Sequence, residues 1–176
     1  RTPLHLATRD CSHAPVEHRA AFAGYPAAMR PTKWFVPFVA LLMVVADGMG
    51  GHHYGEIAAQ IAVQTLADSF QREARPVLMD PFRFLQKGMT NAHHARHRLK
   101  DTPRTTCVAC IVQDNVAYWA HAGDSRLYLF RDGKLIVQTK DHSRIRLLVE
   151  EGMITEAQAV FHPDRNKIYS CLGSPH

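Results

Sequence analysis

The 176-residue sequence has little of what would place it outside ordinary globular proteins. It has only four cysteines, which excludes a disulfide-stapled miniprotein, and its 21% charged and 46% hydrophobic residues exclude a disordered chain. No apolar run reaches the roughly 20 residues that a membrane-spanning helix needs. The N-terminal segment also lacks the continuous apolar stretch of a signal peptide. We therefore expect a single domain over residues 1–176, with no membrane partner.

The basic charge and the cysteines are both weak indicators of function. The formal net charge is +5, but Lys and Arg are scattered, which favours a solvated basic surface over a nucleic-acid groove.

Cys107 and Cys110 form a C-x-x-C motif, which is found in redox and zinc sites. Residues three apart on a strand face opposite sides, so the β pattern around them favours two separate core thiols. Free thiols fit a reducing, cytoplasmic location.

Periodicity predicts a mixed α+β chain. Residues 1–33 show no lasting periodicity, and we expect them to be irregular. A buried strand is expected at 40–46 and an amphipathic helix at 54–75, followed by a second helix from the N-cap Asp80 to about residue 99. An antiparallel meander is expected from four strands at 105–113, 117–122, 127–130 and 135–139. The last predicted elements are helical segments at 143–150 and 155–160 and a strand at 167–171.

Two turns carry acidic residues that suit a hard cation. Asp47 and Gly48 follow the strand at 40–46, where a carboxylate and an unshielded backbone carbonyl offer the oxygen ligands that Mg²⁺ and Mn²⁺ prefer. Asp124 lies in a second turn at the end of a strand. Each Asp also has an ordinary structural interpretation, because Asp47 would cap the next helix and Asp124 suits a β-turn.

The histidines do not form a recognisable catalytic or metal motif. His93 and His97 are four residues apart, but no Glu follows His93 as a zinc-protease motif requires. Asp141, His142 and Ser143 are adjacent, whereas a catalytic triad is assembled from separate elements. We expect Asp141 or Ser143 to cap the helix that follows.

Taken together, these motifs resemble the metal-dependent serine/threonine protein phosphatases of type 2C. The shared features are VADGMGGH at 45–52, Thr-Thr at 105–106, AGDSR at 122–126, DHS at 141–143 and a segment ending in Leu-Gly at 172–173. The resemblance implies a four-layer αββα sandwich with two Mn²⁺ or Mg²⁺ ions. It also implies hydrolysis of phosphoserine and phosphothreonine in phosphoproteins by a metal-activated water, in opposition to a serine/threonine kinase.

The resemblance also implies roles for individual residues. Asp47 would bridge both ions, the Gly48 carbonyl would bind one of them, and Asp124 would help to hold a weaker third ion. Many eukaryotic relatives place a proton-donating His at the position of Met49, and this donor is absent here. The nearest match to the family's R-x-x-x-E-D motif would place Glu17 at the metal site and His13 at the substrate phosphate.

The sequence departs from the family at both ends. The residues aligned with the Arg and the Asp of R-x-x-x-E-D are His13 and His18, and the later S-D-G and D-N motifs are missing. We therefore expect a C-terminally incomplete fold. The alternative function is a degenerate phosphatase-fold domain that binds a partner or a phosphopeptide without turnover.

Overall fold

The computed structural model describes residues 16–21, 39–49, 53–95 and 103–174. These residues form eight strands and four helices. In chain order they are β1 (Val16–Ala21), β2 (Leu41–Val45), β3 (Gly48–Met49), α1 (His53–Glu73), α2 (Pro81–His94), β4 (Arg104–Thr105), β5 (Cys107–Gln113), β6 (Val116–Ala122), β7 (Tyr128–Arg131), β8 (Lys134–Gln138), α3 (Arg144–Glu150) and α4 (Glu156–Ala159). No helix in these ranges is long and apolar enough to span a membrane.

The main sheet is antiparallel, with the strand order β1-β6-β5-β2. Its central strands β5 and β6 are joined by a tight turn at Asp114 and Asn115, which both adopt positive φ angles, as type I′ hairpin turns require. The expectation that residues 1–33 are irregular is wrong for β1. That strand pairs along its whole length with β6, and this long-range pairing leaves no periodic signal in the sequence.

Helices α1 and α2 cover one face of this sheet. The N-cap Asp80 accepts a hydrogen bond from the backbone N–H of Arg83, and Pro81 occupies the first helical position, as predicted. The helices and the sheet enclose the main core, whose buried members include Leu66, Leu85, Met89, Cys107, Ala109 and Ile111.

A hairpin of β7 and β8 covers part of the opposite face of the sheet. Leu129 and Val137 of this hairpin pack against a second buried cluster of Cys110, Ala117 and Trp119. The predicted four-strand meander is therefore wrong, because β7 and β8 pair only with each other among the described strands. Two β layers, one of them covered by α1 and α2, agree with the predicted α+β class.

Strand β2 is only half buried, although the apolar run at 40–46 predicted a buried strand. Its side chains alternate in exposure, and Leu41, Met43 and Val45 are 52%, 47% and 61% exposed. The face of β2 opposite α1 and α2 therefore carries exposed apolar side chains, and a cavity of about 300 Å³ borders Met43, Val45 and the hairpin residue Leu129.

The cysteines of the C-x-x-C motif lie on opposite faces of β5, as predicted. Cys107 belongs to the core beneath the helices, and Cys110 belongs to the cluster beneath the hairpin. Both thiols are free and buried, and burial raises the pKa of Cys110 to about 11. Neither forms a disulfide, and a thiol with a raised pKa is a poor nucleophile.

Local capping signals define the last two helices. Ser143 caps α3, Thr155 caps α4, and Gly152 follows α3 with a φ of 72°. The predicted strand at 167–171 is wrong. That segment is irregular and makes one isolated bridge, between Ile168 and Ser143, and a second bridge joins Leu172, just beyond it, to Thr105.

Candidate functional site

Asp47 lies just past the end of β2, and its two backbone polar groups are both hydrogen-bonded. Its N–H donates to Thr106 Oγ1 over 3.2 Å. Its carbonyl oxygen accepts from the backbone N–H of Thr106 over 2.9 Å and from Thr105 Oγ1 over 2.8 Å. Asp47 is exposed, and its carboxylate makes no hydrogen bond or ion pair with the described part of the chain. The backbone is therefore fixed while the carboxylate stays available to a ligand.

Gly48 is required by a close approach of two backbones. It begins β3, which pairs with β4, and its backbone lies against Gly55 in the first turns of α1. A methyl group at Gly48 would overlap the carbonyl group of Gly55. Because Gly48 has no side chain, the first turns of α1 can pack directly against the backbone next to Asp47.

Asp124 lies in the turn that follows β6. Gly123 adopts a φ of 106°, and a methyl group there would come within 2.7 Å of the Thr106 side chain. Asp124 itself is exposed, and its carboxylate also makes no hydrogen bond or ion pair with the described residues. The next residue, Ser125, places its Oγ 2.6 Å from Thr106 Oγ1.

The sheet register brings Asp47 and Asp124 to the same end of the main sheet. Strands β2 and β6 both run antiparallel to β5, so both end where β5 begins. Thr106 immediately precedes β5 and contacts both turns. Two strand spacings separate the backbones of β2 and β6 by roughly 10 Å. The structure thus gathers two free carboxylates around one buried threonine.

The segment ending in Leu-Gly reaches the same end of the sheet. Leu172 and Thr105 exchange two backbone hydrogen bonds, of 2.9 and 3.1 Å, and Gly173 N–H donates to Nδ1 of His93. Since Thr105 also bonds to Asp47, four of the motifs noted in the sequence meet here.

The turn at Asp124 is held by His142. The backbone N–H of His142 donates to the Gly123 carbonyl over 3.0 Å, and the Gly123 N–H donates to His142 Nδ1 over 3.3 Å. The His142 ring stacks on His121 at 4.4 Å. Burial, with a smaller contribution from His121, lowers the pKa of His142 to about 4, although Asp141 acts in the opposite direction. His142 is therefore neutral near pH 7 and accepts through Nδ1.

Asp141 does not cap α3 but pairs with Arg126. Both carboxylate oxygens accept from the guanidinium at 2.6 Å, and this bidentate contact raises the pKa of Arg126 further above its usual range. Ser143 alone caps the helix, by accepting from the Arg146 N–H. Asp141, His142 and Ser143 thus each bond to a different partner and do not form a triad.

The remaining predicted site residues are His13 and Glu17. His13 lies outside the described residues. Glu17 lies on β1 opposite Ala120, and the strand order places β5 and β6 between β1 and β2. Its metal role stays a prediction.

The sequence reasoning missed Thr106, Ser125 and His142 as individual site residues. The sequence indicates all three only as members of longer motifs. A buried threonine before a strand and a histidine before a helix cap are common features. Only the tertiary contacts reveal that these residues hold the two acidic turns.

The donors at this site fit a hard cation in type. Free carboxylates at Asp47 and Asp124 beside the Gly48 backbone are oxygen donors, which suit Mg²⁺ and Mn²⁺. Within the described ranges no group of three or more His, Cys, Asp or Glu side chains lies close enough together to hold a metal. Two ions would therefore need ligands in addition to these.

The chain is similar in sequence to known proteins. Residues 32–150 match the family described as Protein phosphatase 2C. The chain is 36% identical over 136 residues to the serine/threonine protein phosphatase PstP of Mycobacterium tuberculosis, covering 76% of this chain and 26% of that protein. It is 34% identical over 137 residues to a putative protein phosphatase 2C-type of Streptococcus pyogenes, covering 75% of this chain and 56% of that protein.

Solved structures give the same result for the fold. The crystal structure of Mycobacterium tuberculosis PstP/Ppp matches with a TM-score of 0.67 and 34% identity, over 77% of this chain and 59% of that chain. A PstP catalytic domain in complex with two manganese ions matches with a TM-score of 0.63 and 28% identity, over 91% of this chain and 67% of that chain. These neighbours confirm the predicted fold class. The chain spans between a quarter and just over half of the lengths of the two relatives named above.

Proposed function

The chain belongs to the protein phosphatase 2C family, and we propose that it hydrolyses phosphoserine and phosphothreonine esters of phosphoproteins with the help of divalent metal ions. The observation that carries this proposal is the free carboxylate of Asp47, fixed at the end of β2 beside Gly48. A second free carboxylate, at Asp124, lies at the same end of the sheet.

In this proposal Asp47, the Gly48 carbonyl and Asp124 bind divalent cations. Bound Mn²⁺ or Mg²⁺ supplies Lewis acidity, which lowers the pKa of a coordinated water and offsets phosphate charge. The manganese complex of the PstP catalytic domain supports Mn²⁺ as the first ion to test. The roles of His13 in phosphate binding and Glu17 in metal binding belong to the proposal, as does an opposing serine/threonine kinase.

The chain's own residues supply positioning. The hydrogen bonds of Thr105 and Thr106 fix the backbone of Asp47, so the carboxylate is presented without reorganising the strand end. The side chain of Arg126 is committed to Asp141 and is therefore not a free phosphate ligand. Met49 cannot donate a proton, so protonation of the leaving group falls to another residue or to water.

The test is hydrolysis of an aryl phosphate and a phosphothreonine peptide, with Mn²⁺ and with a chelator. Asp47→Asn should lower the Mn²⁺-dependent rate by more than about 100-fold, beyond the usual loss when only a partner of a metal ligand is changed. The matched control is Asp132→Asn, on the exposed β7–β8 turn at a φ of 50°, which Asn adopts readily. It should retain full activity.

Either of two results would contradict the proposal. Undiminished Mn²⁺-dependent hydrolysis in Asp47→Asn would rule out the role given to that carboxylate. A folded wild-type chain without metal-dependent activity would favour the alternative, a phosphatase-fold domain that binds a phosphopeptide or a partner without turnover.

A further inference from the structure

Thr106 forms the centre of a hydrogen-bonded chain that joins the two acidic turns. Its side chain is buried, with the residue 2% exposed. Its Oγ1 accepts from the Asp47 N–H over 3.2 Å and lies 2.6 Å from Ser125 Oγ. Because a hydroxyl has one proton and two lone pairs, Oγ1 can satisfy both contacts at once, whichever hydroxyl donates to the other.

Thr106 also contacts both turns through groups other than its hydroxyl. On one side its backbone N–H donates to the Asp47 carbonyl over 2.9 Å. On the other side Gly123 packs so closely that an added methyl group would come within 2.7 Å of the Thr106 Cβ and Cγ2. His142 holds the far side of the same turn through Gly123. The turn that carries Asp124 is therefore packed directly against the residue that fixes Asp47.

We propose that Thr106 and Ser125 are positioning residues, whose hydroxyl pair sets the Asp47 strand end relative to the Asp124 turn and thereby sets the affinity for Mn²⁺. The inference rests on the proposed function, since that proposal makes Asp47 and Asp124 metal ligands. Neither hydroxyl needs to touch the metal. Changes to residues that orient metal ligands typically weaken metal binding by about 10–100-fold.

The variants for the test are Thr106→Val, Thr106→Ser, Ser125→Ala and the double change Thr106→Val with Ser125→Ala. Calorimetry gives the Mn²⁺ dissociation constant of each, and hydrogen exchange of the Asp47 amide is measured without metal. The matched control is Thr139→Val. Thr139 is also 2% exposed, and its hydroxyl likewise accepts one backbone N–H, from Leu127.

We expect Thr106→Val and Ser125→Ala each to weaken Mn²⁺ binding by about 10-fold or more. Thr106→Ser keeps the hydroxyl and should remain within about 3-fold of wild type. The double variant should bind no more weakly than Thr106→Val, because the two hydroxyls act through one contact. The Asp47 amide should exchange faster in Thr106→Val than in Thr106→Ser. Thr139→Val should lose stability but keep the wild-type dissociation constant.

The inference is overturned if Ser125→Ala binds Mn²⁺ as tightly as wild type, if the two losses simply add, or if Thr139→Val weakens binding equally. If Thr106→Val fails to fold, Ser125→Ala still decides, because it removes only one half-buried hydroxyl. If the wild-type chain itself binds no Mn²⁺, the proposed function fails. The positioning role is then tested without metal, by hydrogen exchange of the Asp47 amide in Ser125→Ala. Exchange at the wild-type rate would mean that the hydroxyl pair does not position Asp47.

Discussion

Acid should destabilise this protein through His142 before most carboxylates begin to protonate. The ring is 7% exposed, stacks on His121, and accepts the Gly123 N–H through Nδ1. Its pKa is lowered from 6.5 to about 4, chiefly by burial. Between these two pH values His142 is therefore neutral in the folded protein but protonated in the unfolded chain. Stability from this group is fully present above the unfolded pKa of 6.5 and is lost as the pH falls toward 4.

The size of the effect follows from the shift. One pKa unit corresponds to about 1.4 kcal/mol, so a shift from 6.5 to about 4 corresponds to on the order of 3 kcal/mol of stability. The His142 ring also faces Tyr169, with a distance of 5.6 Å between the ring centroids. Two other neighbours are His121, whose pKa burial also lowers, and Asp141, which raises the pKa of both histidines. His121 therefore adds to the loss of stability in the same direction.

The assay is urea denaturation of the wild type and His142→Asn at several pH values between 7 and 4. Asn keeps an acceptor near the position of Nδ1 but does not titrate. The stability of the wild type relative to the variant should fall by about 3 kcal/mol over this range. Losses from Glu150 and Asp164, whose pKa values are lowered by Lys140 and Lys167, occur in both proteins and cancel. Parallel curves for the two proteins would refute the reasoning.

Two substitutions should reveal contacts on which the fold depends. Gly48→Ala should cost more than about 3 kcal/mol in the urea-derived free energy of unfolding, because the added methyl group overlaps the Gly55 carbonyl; a near-neutral effect would contradict this packing. Gln113→Met should cost about 2–4 kcal/mol, because the buried Gln113 amide bonds both the N–H and the C=O of the buried Leu78. The exposed Gln64→Met serves as its control, and equal losses in the two variants would contradict the account.

Elements with local signals were predictable from sequence. The N-caps Asp80, Ser143 and Thr155 each precede a helix that the structure contains, because the capping residue and its N–H partner are only three residues apart. The long amphipathic pattern of α1 was equally clear. Such signals depend on the chain within one or two turns of the residue concerned.

Elements that depend on distant partners were not predictable. Strand β1 exists through its pairing with β6, about 100 positions away in sequence. The strands β7 and β8 follow β5 and β6 closely in sequence and were expected in the same sheet, but the chain leaves the main sheet after Ala122, where Gly123 adopts a φ of 106°. An alternating pattern identifies a strand without identifying the sheet that it joins.

The residues of the candidate site also divide into those with a local sequence signal and those without one. Asp47 and Asp124 could be identified because each acid follows a strand in a glycine-containing turn. Their meeting depends on β5 lying between β2 and β6, which only the strand order reveals. The local sequence does not indicate the role of Thr106, since a threonine beside a strand is common.

The two adjacent threonines fix the backbone of Asp47, the residue that we propose as a metal ligand. The Asp47 carbonyl accepts from Thr105 Oγ1 and from the Thr106 N–H, and the Asp47 N–H donates to Thr106 Oγ1, so both backbone groups are satisfied. Fixing a residue's backbone costs about 1–2 kcal/mol of conformational entropy. For Asp47 this entropy is lost when the chain folds and not when a ligand binds. The remaining freedom lies in the side chain alone. Under the proposed function, a cation that binds the Asp47 carboxylate therefore meets a backbone that is already fixed, which favours binding without any additional contact.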